Sequence, residues 1–225
     1  MADGTVKQTN PFTGTEVWTV PGRGNRPIDH SPGEVTAVDP AVPEAHCAFC
    51  ERRLLETTPE KSRMVRDGDT WTVVDEVAPH DLERTTPEFR LFGNLFEIVS
   101  LDYWSAVHGY RIPARAAAHQ AAYLASEAGA AHLRDLLRTR IAAAQGDSAA
   151  VDSMSMPELA ARTESFFGGC HDVVVARRHL TAGATRTDRH ASSGTLSPDE
   201  HEQFVAHFRG LTGMWVTDQQ QAVRG

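Results

Sequence analysis

Cys47 and Cys50, in Ala45-His46-Cys47-Ala48-Phe49-Cys50, are two thiols separated by two residues. That spacing lets both sulfurs reach one ion from a tight turn, and zinc favours deprotonated thiolates in a four-ligand shell. The sequence holds three cysteines, and no second Cys-x-x-Cys pair supplies the other half of such a site. Two further readings stay open on these residues alone. They are two small buried apolar side chains, or a redox dithiol, although no βαβ pattern surrounds the pair. Eleven histidines could complete a zinc shell. His171 and His179 bracket an apolar run, and His179 stands just past it, where strand ends commonly present ligands; the alternative is a solvated loop histidine. His46 points away from a metal held by both sulfurs. His30, His80, His108, His119, His132, His190, His201 and His207 read most simply as surface residues. Nowhere do two histidines stand one residue apart.

Arg23 and Arg26 form a second constellation, in the loop Pro21-Gly22-Arg23-Gly24-Asn25-Arg26-Pro27. Two guanidinium groups on one loop can hold phosphate oxygens, and the glycines let the backbone approach an anion. The plainer reading is a solvated basic turn. Asn94, in Phe92-Gly93-Asn94-Leu95-Phe96, could donate its amide to a phosphate or sugar, or serve only as a turn residue before a strand.

The 225 residues are 40% apolar and 23% charged, the composition of a globular chain. A net charge of −8 with pI near 5.7 argues against a general nucleic-acid binder. The opening Met-Ala-Asp-Gly-Thr-Val-Lys-Gln lacks the apolar run of a leader, and no later stretch has the length of a membrane span. With so few cysteines, the expectation is a reduced, cytoplasmic protein without a disulfide framework.

The elements that must position these residues are read as follows. Glu16-Val17-Trp18-Thr19-Val20 is a strand entered from the turn Asn10-Pro11-Phe12-Thr13-Gly14. Met64-Val65 and Trp71-Thr72-Val73-Val74 flank Asp67-Gly68-Asp69 as a hairpin. Leu95 to Val99 is a further apolar run, and His171 to Ala176 a buried strand. Pro113 to Gln145 is alanine-rich, with Leu133, Leu136, Leu137 and Ile141 at helical spacing and Gly129 as a break between two helices. Pro157 to Phe167 is a helix stopped by Gly168-Gly169. Ser197-Pro198-Asp199-Glu200 is a capping box opening a helix with Phe204, Val205, Phe208 and Leu211 as its stripe. The order indicates an α+β fold with an antiparallel sheet. It is expected as one domain over 1–215 with a helical insert at about 113–167, followed by a polar tail over 216–225.

In order, these pieces resemble the amino-terminal half of the galactose-1-phosphate uridylyltransferase family, within the histidine-triad superfamily. The resemblance rests on Asn10–Gly14 with Trp18-Thr19-Val20, Arg23-Gly24-Asn25-Arg26-Pro27, Cys47-Ala48-Phe49-Cys50, Asn94-Leu95-Phe96, and His171-Asp172-Val173-Val174-Val175 leading to His179, over roughly residues 10 to 210. It implies helices on an antiparallel sheet, and ping-pong transfer of UMP between a UDP-sugar and a sugar 1-phosphate. A histidine carries the UMP covalently in that family. It implies Cys47, Cys50 and His179 as three zinc ligands, Arg23 and Arg26 at nucleotide phosphates, and Asn94 near the nucleotide. The partner would be a UDP-sugar or other nucleotide, and a homodimer is compatible.

Two departures bear on activity. The family's fourth zinc ligand and its nucleophile lie in a His-x-His-x-Gln motif after the last helix, and this sequence has none. Ala176-Arg177-Arg178 also stands where Ser-Pro commonly precedes the zinc histidine. The alanine-rich insert favours a relative over the galactose enzyme itself. The expectation is therefore no catalytic residue in this chain and no activity from it alone. The alternatives are a zinc-stabilised nucleotide- or partner-binding module, or a histidine-triad hydrolase or phosphorylase.

Overall fold

A computed structural model describes residues 6–19, 37, 49, 51–97, 99–144, 146–169, 171–176, 185 and 195–206. The chain forms two compact units, Met1–Thr36 and Ala37–Gly225. The first contains an antiparallel hairpin of β1 (Val6–Thr9) and β2 (Glu16–Thr19), matching the expected strand and turn. The Asn10 side chain closes the turn by accepting from the Phe12 amide at 2.8 Å. Lys7 faces Trp18 across the pair and binds Glu16 at 2.6 Å.

The second unit is α+β. Its sheet is antiparallel throughout, in the order β4-β3-β5-β6, with β3 Glu60–Asp67, β4 Thr70–Asp75, β5 Pro87–Gly93 and β6 Asp172–Ala176. The β3–β4 hairpin falls where the sequence places it. Gly68 takes φ +58° in its turn, a conformation that costs glycine nothing. Two expectations for the strands need correction. Among its described residues the apolar run after Gly93 is not a strand, because the Asn94 side chain accepts from the Phe96 amide at 2.9 Å and turns the chain. Strand β6 is half-buried rather than buried, since among the described residues it pairs only with β5.

Four helices follow the sheet's central strands: α1 Leu101–His108, α2 Ala114–Leu124, α3 Glu127–Ala143 and α4 Met156–Gly168. The expected break at Gly129 lies instead at Ala125–Ser126, where the Ser126 hydroxyl caps α3. Gly129 serves the close approach of the two helices: a Cβ there would lie 2.0 Å from the Tyr123 carbonyl oxygen. Helix α4 opens on a complete Ser155/Glu158 capping box and ends at the expected glycines. Tyr123, Leu133, Leu137, Val151, Leu159 and Phe166 form the core of this helical layer.

A last helix, α5, is described over 198–206. Its capping box is as expected, with Ser197 N–H donating to Glu200 at 2.8 Å and Glu200 N–H to Ser197 at 3.2 Å. Phe204 packs on Phe89 of β5 with ring centroids 5.7 Å apart. Phe208, Leu211 and the tail lie outside the described residues. No described helix is long and apolar enough to cross a membrane.

Candidate functional site

Alternation along β3 and β5 sorts their side chains onto two faces. Ser62, Met64, Phe89 and Leu91 share the face that α5 covers, since Ser62 pairs with Leu91 and Met64 with Phe89. Arg63 and Arg90, themselves register partners, point to the other face. There they meet Leu54, Val77 and Leu82, brought in by the loops before β3 and after β4.

Both arginines are withdrawn from water, with side chains 0% and 3% exposed. They share one carboxylate. Glu60 accepts from Arg63 Nε at 2.6 Å and from Arg90 Nε at 2.5 Å. Arg63 also donates to the Leu82 and Thr85 carbonyls, each at 2.8 Å, and Arg90 to the Thr57 hydroxyl at 2.6 Å. Burial pushes the Arg90 guanidinium down from its ordinary value, the Glu60 carboxylate pushes it back up, and the Arg63 charge adds to the lowering.

Thr57 links this cluster to the helices. Its carbonyl accepts from His132 Nε2 at 3.0 Å, so that nitrogen carries the proton and Nδ1 accepts from the Tyr123 hydroxyl at 2.7 Å. Burial holds His132 below the usual histidine range and raises Tyr123, so both are neutral near pH 7. His119 lies 5.0 Å edge-on from Phe167 and 5.9 Å from Tyr123, is likewise lowered by burial, and makes no hydrogen bond through Nε2.

The expected surface positions of His119 and His132 are thus corrected: both are buried. The signal was present. His132 lies between Gly129 and Leu133 on the stripe that Leu136 and Leu137 continue, and all five are buried. Arg90 also had one, as a charge inside the apolar run Phe89-Arg90-Leu91-Phe92; Arg63, in the largely polar strand β3, had none.

At the far end of β5, Asn94 donates its backbone N–H to the His171 carbonyl at 2.8 Å. Its Oδ1 is used by the Phe96 turn, leaving the amide NH2 to other acceptors. Asn94 is therefore the turn residue expected, placed after a strand rather than before one. Burial lowers the His171 imidazole, with Asp172 opposing, and Nδ1 makes no hydrogen bond. Asp172 itself binds Lys61 at 2.6 Å. Phe49, between the two cysteines in sequence, stacks on Phe92 at 6.0 Å. Cys47, Cys50, His179, Arg23 and Arg26 lie outside the described residues. Chemically, the described groups offer an amide donor beside a neutral imidazole at one sheet end, and a cationic cluster on one sheet face.

One family model matches, described as a domain of unknown function (DUF4921), over residues 1–219. No curated protein and no solved structure matches.

Proposed function

The chain belongs to the DUF4921 family, and from that footing we propose that it is a zinc-stabilised nucleotide-binding module related to the amino-terminal half of galactose-1-phosphate uridylyltransferase. In this reading Cys47, Cys50 and His179 hold zinc, a donor set of two thiols and an imidazole whose chemistry fits that ion. Bound there, zinc would supply rigidity rather than a reacting group. Arg23 and Arg26 hold the nucleotide phosphates. Asn94 offers its amide NH2 to a phosphate or ribose oxygen. The protein works in a reducing, cytoplasmic compartment, where the thiols stay available to the metal. The supporting observation is the Asn94 N–H bonded to the His171 carbonyl at 2.8 Å, which brings a carboxamide and a neutral imidazole to one end of the sheet.

These 225 residues contain no His-x-His pair, so the module binds UMP and does not transfer it. Titration of the purified chain with UMP tests the reading. Arg23→Ala with Arg26→Ala weakens binding at least tenfold, and Asn94→Ala weakens it by about fivefold, the worth of one hydrogen bond. Zinc is present below full occupancy and falls in Cys47→Ser. UDP-glucose and galactose 1-phosphate give neither transfer product nor uridylylated histidine. Undetectable UMP binding, zinc insensitive to Cys47→Ser, or turnover would each overturn the proposal.

A further inference from the structure

The Glu60–Arg63–Arg90 cluster is incomplete in two ways that point to the same missing group. Its charge does not balance: among the described residues, two buried guanidinium groups face one carboxylate. Of the carboxylates described on the neighbouring turns, Glu56 pairs with Arg53 at 2.5 Å and Asp81 with Arg84 at 2.7 Å. Its donors do not balance either. Arg63 Nη2 and Arg90 Nη1 are buried and make no hydrogen bond, while the other nitrogens of both side chains are used. Buried charged groups are ordinarily paired, and an orphaned donor on one costs more than on a neutral group. The two arginines are register partners gripping the same carboxylate, so both free donors belong to one cluster.

A water molecule could accept from the free donors, but it would leave the charge uncompensated. Another cation or a hydrogen-bond donor would worsen both deficits. The remaining class is a compact acceptor carrying one negative charge. Complete burial of Arg63 restricts it to a few atoms. We propose that this face of the sheet seats a small monovalent anion, chloride in charge and size, between Arg63 and Arg90. The seat is independent of the nucleotide reading, which uses other residues. Its effect is to couple folding to anion concentration, because an anion bound only by the native state stabilises it by mass action.

The test is urea unfolding of the full chain at constant ionic strength, with chloride exchanged for gluconate, which is too large to be enclosed. Wild type becomes more stable with chloride along a saturable curve, and its chloride-35 NMR line broadens and is narrowed by competing bromide. Two variants move the charge in opposite directions. Glu60→Gln raises the cluster by one positive charge; it is less stable in gluconate, and its half-saturating chloride is about tenfold lower than that of wild type. Arg90→Met leaves Arg63 balanced by Glu60 and abolishes the chloride response. Equal stability of wild type in chloride and gluconate, or the same chloride response in all folded variants, overturns the proposal. Should both variants fail to fold, the wild-type titration and line width decide alone.

Discussion

On one face of the β4-β3-β5-β6 sheet, Phe89 lies between Trp71 and Phe204, with ring centroids at 6.0 and 5.7 Å. On the other, one residue further along the same strand, Arg90 lies against Glu60 and Thr57 with its side chain 3% exposed. Phe89 and Arg90 are equally buried and are held by different physics. The apolar face gains by area removed from water, without directional demands. The polar face gains only as far as each buried donor and charge finds its partner, and loses heavily where one does not. A side chain on the first face can therefore be exchanged for one of similar volume, whereas exchange on the second disturbs every group that shares the network.

The largest expected effect comes from breaking the polar face. Glu60→Ala leaves Arg63 and Arg90 as two buried cations without a carboxylate, and costs about 4 kcal/mol, near the middle of the range for a broken buried pair. On the apolar face, Phe89→Ala costs about 3 kcal/mol through lost transfer energy and a residual cavity. Urea unfolding at pH 7 measures both. The sharper comparison is their response to salt composition. Chloride recovers part of the Glu60→Ala loss and none of the Phe89→Ala loss. A Glu60→Ala protein as stable as wild type would show that the two faces do not differ in kind.

The same division separates what the sequence discloses from what it hides. Capping residues act within one helical turn, so the Ser197/Glu200 box was legible as a helix start, and Ser155/Glu158 carries the same local signal. The β3–β4 hairpin was legible for the same reason, its glycine turn lying between two apolar runs. Long-range pairing was not. Nothing local in Phe89-Arg90-Leu91 says that Arg90 will stand opposite Arg63, or that one carboxylate will serve both. His132 was readable from its place on the α3 stripe, yet its partners, Tyr123 on α2 and the Thr57 carbonyl before β3, follow only from the packing of helices against the sheet. Of the candidate site, Asn94 reads in sequence as a turn residue before a strand, and in the structure it turns the chain after β5. Its bond to His171 required the pairing of β5 with β6.

His119 tests the comparison at its smallest scale, because it is a polar side chain lying in an apolar setting. Its ring meets Phe167 edge-on at 5.0 Å, and its Nε2 makes no hydrogen bond, so the residue is packed as an aromatic hydrocarbon while keeping a titratable nitrogen. Burial lowers its folded-state pKa below the unfolded value near 6.5, while Glu76 acts to raise it and Arg115 and Lys61 to lower it. The unfolded chain then takes the proton first as pH falls. Stability contributed by keeping the ring neutral is present above about pH 6.5 and is lost progressively below it. His132 and His171, lowered in the same direction, add to that acid slope. His119→Phe removes one of these three groups and an unpaired buried nitrogen at little change in shape. It should raise stability at pH 7 by about 1 kcal/mol, as expected when an unsatisfied buried polar atom is replaced by an apolar one. The variant should also lose less stability than wild type between pH 6.5 and 5, by up to about 1.4 kcal/mol per pH unit for one proton. Urea unfolding at those two pH values separates the effects. A variant stabilised at pH 7 but with an unchanged acid slope would mean that the ring matters through packing alone. An unchanged slope together with lower stability would mean that Nε2 has a partner in solution, and that the apolar setting of His119 resembles the arginine face after all.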